Sequence, residues 1–220
     1  NGALENWDET EKYPWFLGGF SWTALDYIGE AGIGRSVLAP ESQKVPQGMI
    51  GMGLFYRNNW PVFNAYCGDL DLIGNPKAAL YYKSVVWRNS QIEMLVHRPI
   101  PEGQKEVIAT WGMPDELKSW TWPGQEGKKI QIDVYTRSKT VKLELNGKII
   151  AEQIVPEGSI TATFQIEYQP GTLVAKSFDD GKETGSSTLS TSGKPVGIRL
   201  VADRKNINAD PNDLSFISVE

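Results

Sequence analysis

From about residue 91 onward the chain reads with a period of two, and this pattern limits its possible folds more than any other feature. In KKIQIDVYT, Ile130, Ile132 and Val134 alternate with Lys129, Gln131 and Asp133; in TVKLELNGKII, Val141, Leu143 and Leu145 alternate with Lys142 and Glu144. Successive side chains of a strand point to opposite faces, so each segment has one face to bury and one to wet. Asn146-Gly147 is the preferred pair for a type I′ hairpin, which needs positive φ at both central residues, and Asp180-Gly181 repeats the signal between LVAKSF and KETGSS. Further strands are expected at TATFQIEY, with Phe164, Ile166 and Tyr168 on one face, and at GIRLVADR, with Ile198, Leu200 and Ala202. Short strands separated by turn signals predict an immunoglobulin-like β-sandwich over residues 91–204. The final segment, NDLSFISVE, reads as one more strand within residues 205–220, which either completes this sandwich or opens a following one.

Residues 1–90 have a different texture. Residues 16–24 form a mostly apolar run, the pattern of a strand buried on both faces as parallel barrel strands are, with Gly18 and Gly19 permitting close backbone approach. Residues 31–66 carry many Gly, Pro and Asn without a sustained period, which predicts a long loop or insertion. At residues 76–88 the spacing turns helical: Pro76 suits a first turn, and Leu80, Lys83, Ser84 and Trp87 recur every three or four residues. A strand, a long excursion and a helix make one βα unit, which cannot bury its own faces and so predicts missing neighbours.

Composition narrows the partners. A net charge of −5 over 220 residues and the absence of a Lys/Arg block argue against nucleic acid. No run of 18 apolar residues occurs, which excludes a membrane-inserted helix, and NGALENWDETEKYPW is too polar and acidic for a secretory signal. Cys67 is the single cysteine and His97 the single histidine, so neither an internal disulfide framework nor a histidine-rich metal site is available. Neither a cofactor nor a metal is expected. Eight Trp, eight Tyr and seven Phe fit either sugar stacking or aromatic packing within a sandwich.

Several separated motifs, in order, carry a resemblance across nearly the whole chain: GGFSWTALDYIGE, YCGDLDLIGNPKAALYYKSVVW, LKSWTWPGQEGKKIQIDVYTRSKTVKLELNGK, EYQPGTLVAKSFDDGK, TSGKP and ADRKNINADPNDLSFISVE. Together they resemble the C-terminal half of glycoside hydrolase family 2 enzymes, especially the β-galactosidase-like members of gut Bacteroidetes. The resemblance implies a mainly β chain: an immunoglobulin-like sandwich preceded by the last βα unit of a (β/α)8 barrel, with GGFSWTALDYIGE as the eighth strand. It further implies a retaining exo-glycosidase acting on terminal β-galactosides, a β-linked oligosaccharide or glycoside as partner, and a periplasmic or extracellular location.

The family's two catalytic glutamates stand near the ends of the fourth and seventh barrel strands, and no residue here matches either. The catalytic residues are therefore expected upstream of Asn1. Retaining hydrolysis needs two carboxyl groups about 5 Å apart, from separate elements flanking the scissile bond. Asp26 and Glu30 are the one close pair near the expected barrel mouth, but no second strand supplies either of them. The resemblance instead makes Trp22 part of the wall on which the terminal sugar stacks, the alternative being a core tryptophan. Asp26, Tyr27 and Glu30 follow on the same loop, either bonding sugar hydroxyls or bracing the loop.

Asp69 and Asp71 have a spacing seen among metal ligands, but lack the glycine and glutamate of a calcium loop, so a loop-forming role is favoured. SWTWPG, residues 119–124, offers either a stacking platform or, as the resemblance favours, domain packing. His97 lacks a partner for a triad, and Cys67 reads as a small buried residue. A second reading stands beside the enzyme fragment: a non-catalytic carbohydrate-binding or subunit-interaction module, since function belongs to sites rather than folds. An open barrel face would also expose apolar surface and favour homo-oligomers.

Overall fold

The computed structural model describes residues 2–29, 32–45 and 63–220. The period-two region folds as expected into two four-stranded antiparallel sheets. One sheet contains β4 (Ile92–His97), β6 (Glu116–Leu117), β7 (Lys129–Thr136) and β10 (Thr161–Glu167), in the order β10-β7-β4-β6. The other contains β8 (Thr140–Leu145), β9 (Lys148–Ile154), β11 (Thr172–Asp179) and β12 (Lys182–Ser190), in the order β12-β11-β8-β9. Their inner faces form one core, in which Met94, Val96, Ile132, Val134, Leu143, Phe164 and Leu173 are buried.

The two hairpin turns take the required backbone. Asn146 and Gly147 have φ of 52° and 79°, and Asp180 and Gly181 have 51° and 82°. Both pairs therefore supply the positive φ that lets a two-residue turn follow the strand twist. On β10, Ala162 and Phe164 are buried and Ile166 half-buried, and Tyr168, just past its end, is buried on the same face, as the alternation requires.

The tryptophans of SWTWPG pack inward. Trp120 is fully buried, donates from Nε1 to Gln169 O at 3.0 Å, and meets Tyr168 edge-on with 4.9 Å between ring centroids. Trp122 packs against the same core, with its Nε1 donating to Ser119 O at 3.2 Å. Domain packing, not a stacking platform, occupies these rings.

A wet outer face is not what β7 has. Asp133 and Tyr135, on the face opposite Ile132 and Val134, are also buried, because two helices cover this side of the sheet. The helices are α1 (Gly2–Lys12) and α2 (Ala78–Val86). Leu4, Ala78, Val85 and Val86 close over Leu95, Tyr135 and Ile160 as a second core. The helix expected at 76–88 thus forms over its central part, while α1 was not expected.

Three further expectations are corrected. The run 16–24 forms no strand: Leu17, Phe20 and Trp22 are exposed, because among the described residues no strand lies alongside 16–22 to cover both its faces, and only its end, at Thr23 and Ala24, bonds to residues 67–70. The region 31–66 is not wholly loop. β2 (Ser36–Pro40) pairs with β5 (Gln104–Ile108) across the expected boundary at residue 90, and β3 (Asn64–Ala65) pairs with β1 (Tyr27–Ile28). Finally, the GIRLVADR strand does not join the sandwich. Its core, β13 (Leu200–Ala202), pairs with β14 (Ile217–Val219), so the expected boundary at 204/205 falls inside a two-stranded ladder. Pro195, which lacks a donor, and Gly193 and Gly197 interrupt the connection between β12 and β13.

Candidate functional site

The residues around Trp22 are held by a short parallel contact with the segment before α2. Thr23 N donates to Cys67 O at 3.3 Å, Asp69 N to Thr23 O at 3.0 Å, Leu70 N to Ala24 O and Asp26 N to Leu70 O, both at 2.9 Å. Leu25 and Leu70 form an isolated parallel bridge. The approach is close enough to demand glycine at residue 68: a Cβ there would lie 2.2 Å from Asp26 N and 2.4 Å from Leu25 C. Cys67 is buried, as expected for a small apolar residue.

Asp26 is buried and faces inward. Its Oδ1 accepts from Gly68 N at 2.8 Å and from Lys77 Nζ at 2.7 Å; Lys77 Nζ also donates to Tyr66 O at 2.6 Å. The carboxylate thus ties residues 26, 68 and 77 together. A second tie sits nearly two turns further along α2, where Lys83 Nζ donates to Asp69 Oδ1 at 2.6 Å. Asp71 closes its own loop, accepting from the backbone of Ile73 and Asn75 at 2.9 and 2.8 Å. With Asp69 and Asp71 so committed, loop structure is their observed role, and among the described residues no His, Cys, Asp and Glu group is arranged to hold a metal.

Trp22 stands above this brace and is 72% exposed. Its Nε1 donates to Tyr27 Oη at 3.2 Å, and the two rings meet edge-on with centroids 6.2 Å apart. The Trp22–Thr23 peptide bond is cis. Tyr27 is fixed in β1, opposite Ala65 of β3. The result is an exposed indole against a half-buried phenol, set above the Asp26–Lys77 ion pair. Trp22, Asp26 and Tyr27 are therefore brought together, with Asp26 below and the two rings above. Glu30 lies outside the described residues.

Sequence reasoning missed Lys77 and Gly68 as the base of this arrangement. It also missed a second polar cluster on the outer face of the β4 sheet. Glu106 of β5 accepts from His97 Nε2 at 2.9 Å, from Asp115 N at 2.7 Å and from Ser36 Oγ. His97 Nδ1 lies 3.0 Å from Arg98 O, so both ring nitrogens face acceptors, the environment of an imidazolium. The bond to Glu106 raises His97 to a pKa of about 9 against the cost of burial. His97 is a structural cation here, not a member of a triad.

An immunoglobulin-like sandwich joined to a strand-loop-helix unit with an exposed aromatic shelf is the class that the fold and site define. Its homologues are members of glycoside hydrolase family 2. Residues 127–185 match the family model described as Domain of unknown function (DUF4982). The chain is 28% identical over 207 residues to beta-galactosidase BoGH2A of Bacteroides ovatus, covering 92% of this chain and 18% of that protein. It is 26% identical to a putative beta-glucuronidase of Formosa agariphila, covering 90% of this chain and 15% of that protein. A solved glycosyl hydrolase family 2 member from Bacteroides cellulosilyticus superposes with a TM-score of 0.76 at 34% identity, over 100% of this chain and 27% of that one. The chain thus spans less than a fifth of the curated relatives' length and about a quarter of the solved structure's.

Proposed function

We propose that this chain is the C-terminal part of a retaining exo-β-glycosidase, in which it supplies one wall of the sugar pocket and a rigid sandwich support. The observation that carries this reading is the Trp22–Tyr27 pair, its indole exposed yet fixed from below by Asp26 and Lys77. A sugar's apolar C–H face stacks on an indole, and a phenol oxygen beside it is placed to bond a ring hydroxyl. The parallel contact of residues 23–26 with residues 67–70, just before helix α2, supports reading this part as the closing βα unit of a barrel. Relatives named beta-galactosidase and beta-glucuronidase support β-linked glycosides as the substrate class, with terminal β-galactosides as the first choice.

In this account the two glutamates that protonate the leaving group and form the glycosyl-enzyme bond belong to upstream strands. Trp22 orients the terminal sugar, Tyr27 and Glu30 contact its hydroxyls, and Asp26 fixes the loop that presents them. The protein would work in the periplasm or outside the cell. The experiment is Trp22→Ala in the longer protein, assayed on a nitrophenyl β-galactoside. Loss of a stacking wall predicts a fall in kcat/KM of at least about tenfold, on the scale of 1.4 kcal/mol per decade. An unchanged kcat/KM overturns the assignment.

A second reading has its own observation. Leu200, Ile217 and Val219 of the β13–β14 ladder are all exposed, as are Phe216 and Ile198 beside it. This is the surface expected of a subunit- or domain-interaction module.

A further inference from the structure

Glu116 is the one carboxyl among the described residues that combines near-complete burial with an oxygen lacking a hydrogen-bond donor. The residue is 5% exposed; Oε2 accepts from Tyr135 Oη at 2.6 Å, while Oε1 is buried without a donor. It sits at the sheet edge on the two-residue strand β6, opposite His97 of β4. The side chain within its reach is Asp133 of β7, another acidic group. Asp133 is itself buried and already accepts from Thr163 Oγ1 of β10 at 2.5 Å and from Gln131 Nε2 at 3.0 Å.

Two carboxylates cannot share a buried site with both ionised, and a buried oxygen without a donor costs about 1–3 kcal/mol unless it becomes a donor itself. Protonating Glu116 answers both, because a protonated carboxyl is itself a donor and Asp133 is the acceptor nearby.

The remaining charged and titratable groups do not remove the need for that proton. His97 is the cation opposite Glu116 on β4, but its Nε2 is taken by Glu106 of β5 and its Nδ1 faces Arg98 O. On the same sheet face, Lys118 Nζ is paired with Glu93 of β4 at 2.5 Å. Asp115 is held by Arg98 at 2.6 Å. From α2, Tyr82 meets Tyr135 edge-on at 5.3 Å and brings no positive charge, while Lys83 is paired with Asp69. Lys77, which borders the same cleft as Glu116, is committed to Asp26 and Tyr66.

We propose that Glu116 and Asp133 share one proton at neutral pH, and that this proton is a latch holding strand β6 and the turn before it to the sandwich. The latched segment matters because of what it borders. A cleft of about 530 Å3 runs between the strand-loop-helix unit and the sandwich, lined on one side by Tyr66 and Lys77 and on the other by Trp111, Asp115 and Glu116. Loss of the proton leaves two facing carboxylates under the rim of this cleft. Their repulsion is relieved by releasing β6, whose ladder to the sheet is the two-residue pairing of Val96 with Leu117 and His97 with Glu116, flanked by the bond from Arg98 N to Asp115 O and the Lys118–Glu93 pair. Desolvation and the Asp133 carboxyl both raise Glu116, to a pKa of about 8, against a smaller opposing contribution from Tyr135, so the latch opens on the mildly alkaline side.

The test uses the 220-residue chain. Carboxyl-carbon NMR of selectively labelled glutamate, read between pH 5 and 9.5, is compared with Glu116→Gln, which keeps a neutral donor toward Asp133. We expect one glutamate signal to titrate near pH 8 and to vanish in Glu116→Gln. Hydrogen exchange, corrected for intrinsic base catalysis, should show residues 115–118 losing at least about tenfold protection from pH 6.5 to 9. The same amides should keep their protection in Glu116→Gln. Every glutamate titrating below about pH 6 overturns the shared proton. A titration near pH 8 with unchanged exchange in both proteins overturns the latch. Asp133→Asn serves as the second variant: it should lower the Glu116 titration by about a unit or more, and an unmoved midpoint contradicts the pairing.

Discussion

Lys77 Nζ lies 2.7 Å from Asp26 Oδ1, and this ion pair joins the loop beneath Trp22 to the N-cap position of helix α2. The Asp26 side chain is only 3% exposed and that of Lys77 28%, so the pair is far less screened than a surface contact. Removing the cation leaves a buried carboxylate whose remaining donor among the described residues is Gly68 N. Lys77→Met is expected to destabilise the chain by about 3 kcal/mol, the scale for breaking a buried pair. Urea unfolding measures this, and a loss below about 0.5 kcal/mol would show that the brace carries no stability.

Gly68 permits that brace. With backbone atoms of Leu25 and Asp26 within 2.4 Å of any added Cβ, neither side chain nor solvent can give way. Gly68→Ala should push the 23–26 segment off the 67–70 segment and cost more than about 2 kcal/mol, well above the few tenths to 1 kcal/mol usual for a harmless glycine replacement. Tryptophan fluorescence should redden or lose structure as Trp22 and Tyr27 separate. A variant with unchanged melting and spectrum would contradict the close approach.

Stability should fall as pH rises from about 5 to 9. The folded protein holds His97 at about 9 and Glu116 at about 8, both above the ordinary values of 6.5 and 4.5. The His97 contribution is therefore fully present below pH 6.5 and lost as pH passes about 9. Glu116 adds the same sign: between 4.5 and 8 the folded chain binds more protons than the unfolded one, so stability declines across that window. Urea midpoints at pH 5.5 and 8.5 should differ by at least about 2 kcal/mol, and Glu116→Gln should flatten much of the slope. Equal stability at the two values would refute both assignments.

Self-association follows from the surface of the first segment. Trp15 is 76% exposed, and Leu17 and Phe20 are fully exposed on the same stretch as Trp22. Apolar side chains so close in sequence favour contact with another apolar surface. Light scattering should report dimers or larger species that dissociate in Phe20→Ser combined with Leu17→Ser. A monodisperse monomer at high concentration would contradict this.

The sandwich was legible because its signals are local. Asn146-Gly147 and Asp180-Gly181 demand their turns within two residues, and the alternation in β8 predicts its burial directly. What failed depended on partners distant in sequence. The outer face of β7 reads as polar at Asp133, yet Leu4 and Val86 help close over that side. The ladder of β2 with β5 joins residues more than sixty apart, and no local pattern announces it. Helix α1 was invisible because GALENWDETEK is polar nearly all round, with Leu4 its one buried residue. The run 16–24 misled for the opposite reason: apolar composition is the same whether or not neighbours exist to cover it. At the site, Trp22 and Tyr27 could be picked out on one loop, whereas Lys77 and Gly68 become visible only when the chain returns beneath them.

In the proposed division of labour this chain presents a sugar that glutamates upstream of it cleave. Hydrolysis of nitrophenyl β-galactoside by the purified 220-residue chain tests it most directly. No turnover above buffer is expected, because the buried Asp26 carboxylate is committed to Lys77 Nζ and Gly68 N, and the proposed glutamates belong to upstream strands. Turnover that disappears in Glu30→Gln or Asp26→Asn would place the chemistry within this chain and contradict the account.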